Sequence, residues 1–104
     1  MASFTLQDLE QRVKTRAQAS AEVSYTRRLL DQGVDQCAKK LGEEAIEAVL
    51  AAVAEDRERL IAETADLIYH LLVVLAARGV ALAEVEAELA KRTQRSGLEE
   101  KAAR

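Results

Sequence analysis

An all-α fold, an antiparallel bundle of four to five helices, is predicted by three observations on these 104 residues. The chain has no proline and only four glycines, so the turn residues that a β-rich fold needs at roughly every eighth to twelfth position are missing. Aromatic residues make up 3% of it, too few bulky anchors for a sandwich or barrel interior. Apolar residues reach 49%, mostly Ala, Leu and Val at helical spacing, while 32% charged residues supply solvated outer faces.

Each element has its own signal. Leu6, Leu9 and Val13 place a first helix over Thr5 to about Ala19. Ser24 is the N-cap candidate of a short helix, Tyr25–Gln32, which Gly33 ends in the left-handed conformation that glycine tolerates. A long helix follows from Asp35 to about Ala54, with Cys37, Leu41, Ala45, Ala48, Val49, Ala52 and Val53 at helical spacing. The polar run AEDRE makes a tight turn, with Asp56 a candidate cap. Leu60–Arg78 forms an apolar helix through Leu67, Ile68, Leu71, Leu72, Val74 and Leu75, and Arg78 followed by Gly79 is a stop signal. Leu82, Val85 and Leu89 mark a last helix, Leu82 to about Arg92, whose start is weak because Ala81 offers no capping oxygen. Residues 1–95 read as one domain, and 96–104, SGLEEKAAR, as a frayed tail with little to bury. The two long helices, joined by a short turn, are expected to pack antiparallel.

Fifteen basic and eighteen acidic side chains leave a net charge of −3. That balance argues against non-specific nucleic-acid binding, which draws on clustered Lys and Arg. A single cysteine, Cys37, forms no internal disulfide. The first residues lack the apolar core of a signal peptide, and no apolar run reaches the ~18 residues of a membrane span. A cytoplasmic protein without membrane or nucleic-acid partners is expected. A domain this small buries a modest share of its surface, so self-association is expected too.

The informative feature is where the acids fall. Glu43, Glu44 and Glu47 follow Lys40 in KKLGEEAIE, and Glu63 and Asp66 stand in ETADLIYH. Glu44/Glu47 and Glu63/Asp66 are i, i+3 pairs, so each pair shares one helix face. The first pair borders the stripe of Leu41, Ala45 and Ala48, and the second the stripe of Leu60, Leu67 and Leu71. If the hairpin buries both stripes, the four acids converge at one edge of its seam. Two carboxylates ~4 Å apart repel by about 4 kcal/mol at an effective dielectric near 20. A hard divalent cation resolves that conflict: oxygen ligands suit Mg²⁺, or Mn²⁺, and Mg²⁺ keeps positions open for substrate phosphates. One His and one Cys cannot build the usual zinc shell. The residues alone support a phosphate-handling metal site and a merely solvated acidic face about equally.

The motifs extend further. SYT at Ser24–Thr26, Gly33, KKLGEEAIE at Lys39–Glu47, ETADLIYHLLVVL from Glu63 to Leu75, Gly79 and the closing helix up to Arg92 resemble the phosphoribosyl-ATP pyrophosphohydrolase family of histidine biosynthesis. That family lies within the all-α NTP pyrophosphatases, with MazG and the dimeric dUTPases. The ExxE…ExxD core marks the wider group, and KKxGEE with ADLxYHxLV is specific to the histidine branch. The resemblance implies hydrolysis of phosphoribosyl-ATP to phosphoribosyl-AMP and pyrophosphate, with Mg²⁺ held by Glu44, Glu47, Glu63 and Asp66. It also implies a homodimer whose helices form a composite bundle. Cys37, where an aliphatic residue is expected, and Ala81, where a capping residue is expected, depart from the pattern without touching the metal site.

On this reading Glu44 is catalytic as well as a ligand, Glu43 is a candidate acceptor for the proton of the attacking water, and Lys40 a candidate partner of a substrate phosphate. Each has a plainer reading: Glu43 as an exposed acid, Lys40 as an i, i+4 ion pair with Glu44. Arg27 and Arg28 read as a solvated face more readily than as phosphate ligands. Ser24, Tyr25 and Thr26 are candidates for holding substrate, although capping explains Ser24 alone. His70 could meet Asp66 one turn away, yet a lone His on a helix flank is more often structural. Tyr69 is expected to pack on another helix or on a partner subunit. The remaining alternatives are a MazG-like pyrophosphatase of ordinary or damaged nucleotides and a non-catalytic helical module.

Overall fold

Five helices and no strand make up the described residues of the computed structural model, which are 3–94 together with 97 and 101. They are α1 (Leu6–Ala17), α2 (Tyr25–Asp31), α3 (Val34–Ala54), α4 (Arg57–Ala77) and α5 (Leu82–Arg92). Apart from 97 and 101, the expected tail 96–104 lies outside the described residues.

The helix ends follow from local chemistry. Thr5 caps α1 in a reciprocal box, its hydroxyl accepting from the Asp8 amide while the Asp8 carboxylate accepts from the Thr5 amide. Ser24 caps α2 by accepting from the Arg27 amide, and its hydroxyl also donates to the Arg16 carbonyl, tying α1 to α2. Asp56 accepts from the Arg59 amide, so α4 starts at Arg57 and not at Leu60. Gly33 departs from expectation: at φ 94 and ψ 169 it is extended and not left-handed α. It closes α2 and is at once the N-cap of α3, and a cap needs the extended ψ. The combination with positive φ is accessible only to glycine. Gly79, at φ 69, closes α4 as expected, with Val80 and Gly79 amides donating to the Leu75 and Ala76 carbonyls. Ala81 indeed has no capping oxygen; the Leu82 amide donates instead to Glu10 of α1, 2.7 Å away.

The α3–α4 hairpin is the most extensive pairing, and α1 and α2 lie across it. The core is Val13, Leu29, Cys37, Leu72, Val73 and Leu82, with Leu9, Leu30, Tyr69 and Val74 around it. Cys37 is a small buried side chain whose thiol donates to the Leu29 carbonyl. Only part of the apolar stripes enters this core. On α3, Ile46, Val49, Leu50 and Val53 (81% exposed) line up at i, i+3, i+4 and i+7 and face outward, as do Ile61 and Leu71 on α4. Leu60, Leu67 and Leu71 are therefore not the buried stripe of α4; Glu63, His70, Leu72 and Val73 are. α4 has the length and, in part, the mean hydropathy, 1.7, of a membrane span, although the sequence shows no uninterrupted apolar run of that length. Its packing on α1, α2 and α3 accounts for the apolar residues on one side only.

Candidate metal centre

The α3–α4 pairing brings both acidic motifs to one place. Carboxylate oxygens of Glu44, Glu63 and Asp66 lie within 4.8 Å of one another. Glu47 lines the same hollow, about 490 Å³, with Lys40 and Glu43, but stands outside that trio. The three members differ in setting: Glu63 is buried, Glu44 half-buried and Asp66 exposed. Six-coordinate Mg²⁺ separates its oxygen ligands by about 3–4 Å, so the trio is nearly gathered already. All its donors are carboxylate oxygens, which suits Mg²⁺ or Mn²⁺.

Two cations lean on these acids. Arg59 donates from Nη2 to Glu63 Oε1 at 2.7 Å, and its Nε stands 3.6 Å from Glu55. Lys40 Nζ lies 3.5 Å from Glu44 and 3.9 Å from Glu43. The Lys40 pKa is raised, chiefly by the Tyr25 phenol; desolvation is the next-largest effect and opposes it, and Glu44 and Glu43 add to the rise. Arg59 escaped the sequence reading, although the i, i+4 ladder Glu55–Arg59–Glu63 was there to be seen.

Beside the acids is an aromatic group. The buried His70 ring lies edge-on to Tyr25 and Tyr69, with centroids 6.2 and 4.9 Å away. Burial lowers the His70 pKa, while the charges of Glu44 and Asp66 pull the other way. His70 makes no hydrogen bond to Asp66 among the described residues, so the contact read from their spacing is electrostatic only. Tyr69 packs on another helix, as expected, sharing a hydrogen bond with Thr26 of α2. Burial raises the Tyr69 pKa and the Cys37 pKa. Arg27 and Arg28 turn to the loop before α2, donating to the carbonyls of Ala19, Ala21 and Glu22, with Arg27 also paired to Asp31.

The model of the phosphoribosyl-ATP pyrophosphohydrolase family matches residues 6–93. A phosphoribosyl-ATP pyrophosphatase 1 of Bradyrhizobium diazoefficiens is 62% identical over 104 residues, covering all of this chain and 98% of its own. The protein of that name from Rhodopseudomonas palustris is 61% identical over the whole chain and 97% of its own length. A phosphoribosyl-ATP pyrophosphatase of Azorhizobium caulinodans is 63% identical over 100 residues, 96% of this chain and 92% of its own.

Proposed function

The chain belongs to the phosphoribosyl-ATP pyrophosphohydrolase family, and we propose that its acidic cluster is where it hydrolyses phosphoribosyl-ATP to phosphoribosyl-AMP and pyrophosphate, a step of histidine biosynthesis. The observation that carries this is the meeting of Glu44, Glu63 and Asp66 in a chain matched to that family over 88 consecutive residues, 6 to 93. These three would hold Mg²⁺, or Mn²⁺, with Glu47 as the fourth acid from the rim of the hollow. When bound, the ion offsets charge on the phosphate oxygens and on the departing pyrophosphate.

The chain's own groups do the rest. Lys40 is held beside the ligands by Glu43 and Glu44, where its ammonium can meet a phosphate oxygen. Glu43, largely exposed next to it, takes the proton of the water that attacks phosphorus as the bond to pyrophosphate breaks. Arg59 neutralises the buried Glu63, which would otherwise carry an uncompensated charge.

The same reading extends to assembly. Ile46, Val49, Leu50 and Val53 form an outward apolar stripe on α3, and Ile61 and Leu71 of α4 are exposed as well. Patches of this kind mark protein contacts, and we assign it to a second copy of the chain, forming a composite bundle. A cytoplasmic location suits the single unpaired Cys37.

The test is turnover of phosphoribosyl-ATP, ATP and dUTP, each with Mg²⁺ and with a chelator. Pyrophosphate should be released from phosphoribosyl-ATP only with the ion, and far faster than from the other two. Faster cleavage of ATP or dUTP would place the chain among the broader nucleotide pyrophosphatases. No cleavage and no ion binding would leave a helical interaction module.

A further inference from the structure

We propose that the pocket formed by Arg12, Arg16, Tyr25, Thr26 and Tyr69 receives the phosphorylated second ribose of the substrate, the part that distinguishes phosphoribosyl-ATP from ATP. The inference rests on the reaction proposed above. The pocket lies where α1 crosses α2 and α4, and Leu9 and Val13 form its apolar side. Its volume, about 290 Å³, falls at the lower limit of the roughly 300–1,000 Å³ of small-molecule sites. It suits one sugar phosphate and not a whole nucleotide.

Its charge is unbalanced. Among the described residues neither arginine makes an ion pair; Arg12 lies 5.8 Å above the Phe4 ring, and Arg16 acts electrostatically on the Tyr69 phenol. Helix α1 carries two acids, and both are committed elsewhere: Asp8 caps its own helix and Glu10 caps α5. Two guanidinium groups left unneutralised over a pocket with two phenols make a phosphate-binding arrangement, since arginine presents paired donors to phosphate oxygens. The Ser24 hydroxyl, bonded to the Arg16 carbonyl at 2.8 Å, fixes the arginine's backbone against α2.

Tyr25 and Tyr69 line one wall of the pocket, His70 lies edge-on to both, and the charges of Glu44 and Asp66 act on the His70 ring. A substrate with a polyphosphate at one end and a monophosphate at the other can engage both places, with its base and first ribose along this wall. ATP, engaged at the acidic cluster through its triphosphate, has no second phosphorylated ribose to offer the arginines.

The test compares binding of phosphoribosyl-AMP and AMP by calorimetry, without metal, to the wild type and to the Arg12→Gln/Arg16→Gln variant. A phosphate-bound arginine removed should weaken affinity roughly 10–100-fold, so phosphoribosyl-AMP should lose at least tenfold and AMP less than twofold. With Mg²⁺, the preference in kcat/KM for phosphoribosyl-ATP over ATP should fall at least tenfold. Arg12→Lys/Arg16→Lys should recover part of the affinity, and thermal unfolding checks that both variants are folded. Unchanged phosphoribosyl-AMP affinity overturns the proposal, and so does equal weakening of both ligands. A wild type that binds phosphoribosyl-AMP through these arginines but fails to hydrolyse phosphoribosyl-ATP would sink the reaction and leave the pocket standing.

Discussion

Replacing Asp66 by Asn removes one charge from the acidic trio without breaking any ion pair of the described residues. At an effective dielectric of about 20, unit charges 4.8 Å apart repel by about 3.5 kcal/mol. Asp66 is exposed, so solvent screens it, and couplings of about 0.2–1 kcal/mol per pair are the better guide. With two partners, one of them the buried Glu63, the chelated variant should gain on the order of 0.4–2 kcal/mol. In a domain of this size that raises Tm by about 2–16 °C. Mg²⁺ should reverse the order. At a hundredfold excess over its Kd the ion stabilises the wild type by about 2.7 kcal/mol, while a variant binding a hundredfold more weakly gains about 0.4 kcal/mol. The assay is thermal and urea unfolding at one protein concentration, with chelator or Mg²⁺, at low salt and at 1 M salt, where a Debye length of about 3 Å should erase the chelated gain. A variant that melts with the wild type in chelator and is stabilised equally by Mg²⁺ would refute the reasoning.

Other consequences can be measured separately. Glu10→Ala leaves the Leu82 amide without its acceptor and should cost about 1–2 kcal/mol; unchanged hydrogen-exchange protection at the start of α5 would contradict it. Val49→Lys with Val53→Lys places charge in the exposed apolar stripe and should turn a sedimenting dimer into a monomer; a wild type that is already monomeric would remove the assigned partner. Because burial holds the His70 pKa below 6.5, the unfolded chain takes up that proton first as pH falls. Stability should therefore decline from pH 6.5 toward the lower folded pKa. In chelator, His70→Gln should flatten the decline of urea midpoints over that interval, and parallel profiles would exclude His70 as its source.

Most of the architecture could be read from spacing alone, since helix caps and stops are local. Ser24, Asp56 and Gly79 act within a few residues of themselves, and each does in space what its position suggests. What stayed hidden is what distance in sequence conceals. Nothing near Ala81 announces that Glu10, 72 positions earlier, supplies the missing acceptor. Apolar periodicity marks Val49, Val53 and Leu71 as interior, yet the fold leaves all three exposed, because which apolar face is covered depends on how the other helices pack. At the acidic hollow, pairing by i, i+3 named acids that the fold does bring together, while the sorting into a tight trio and an outlying Glu47 depends on how α3 and α4 rotate about each other. Arg12 and Arg16 carry no signal in the sequence, because their setting comes from α2 and α4, not from their own helix.

Gly33 has a mechanical corollary. It alone intervenes between the cap of α2 and the first turn of α3, a tether with no slack. Tyr25 and Thr26 ride on one side of it, Lys40 and Glu44 on the other, so the two halves of the cleft are geared together. One extra residue at this joint would turn α3 by about 100° relative to α2 and throw the carboxylates out of phase with the pocket. Length variation among functional descendants of this chain should spare that joint and gather in the segment between α1 and α2.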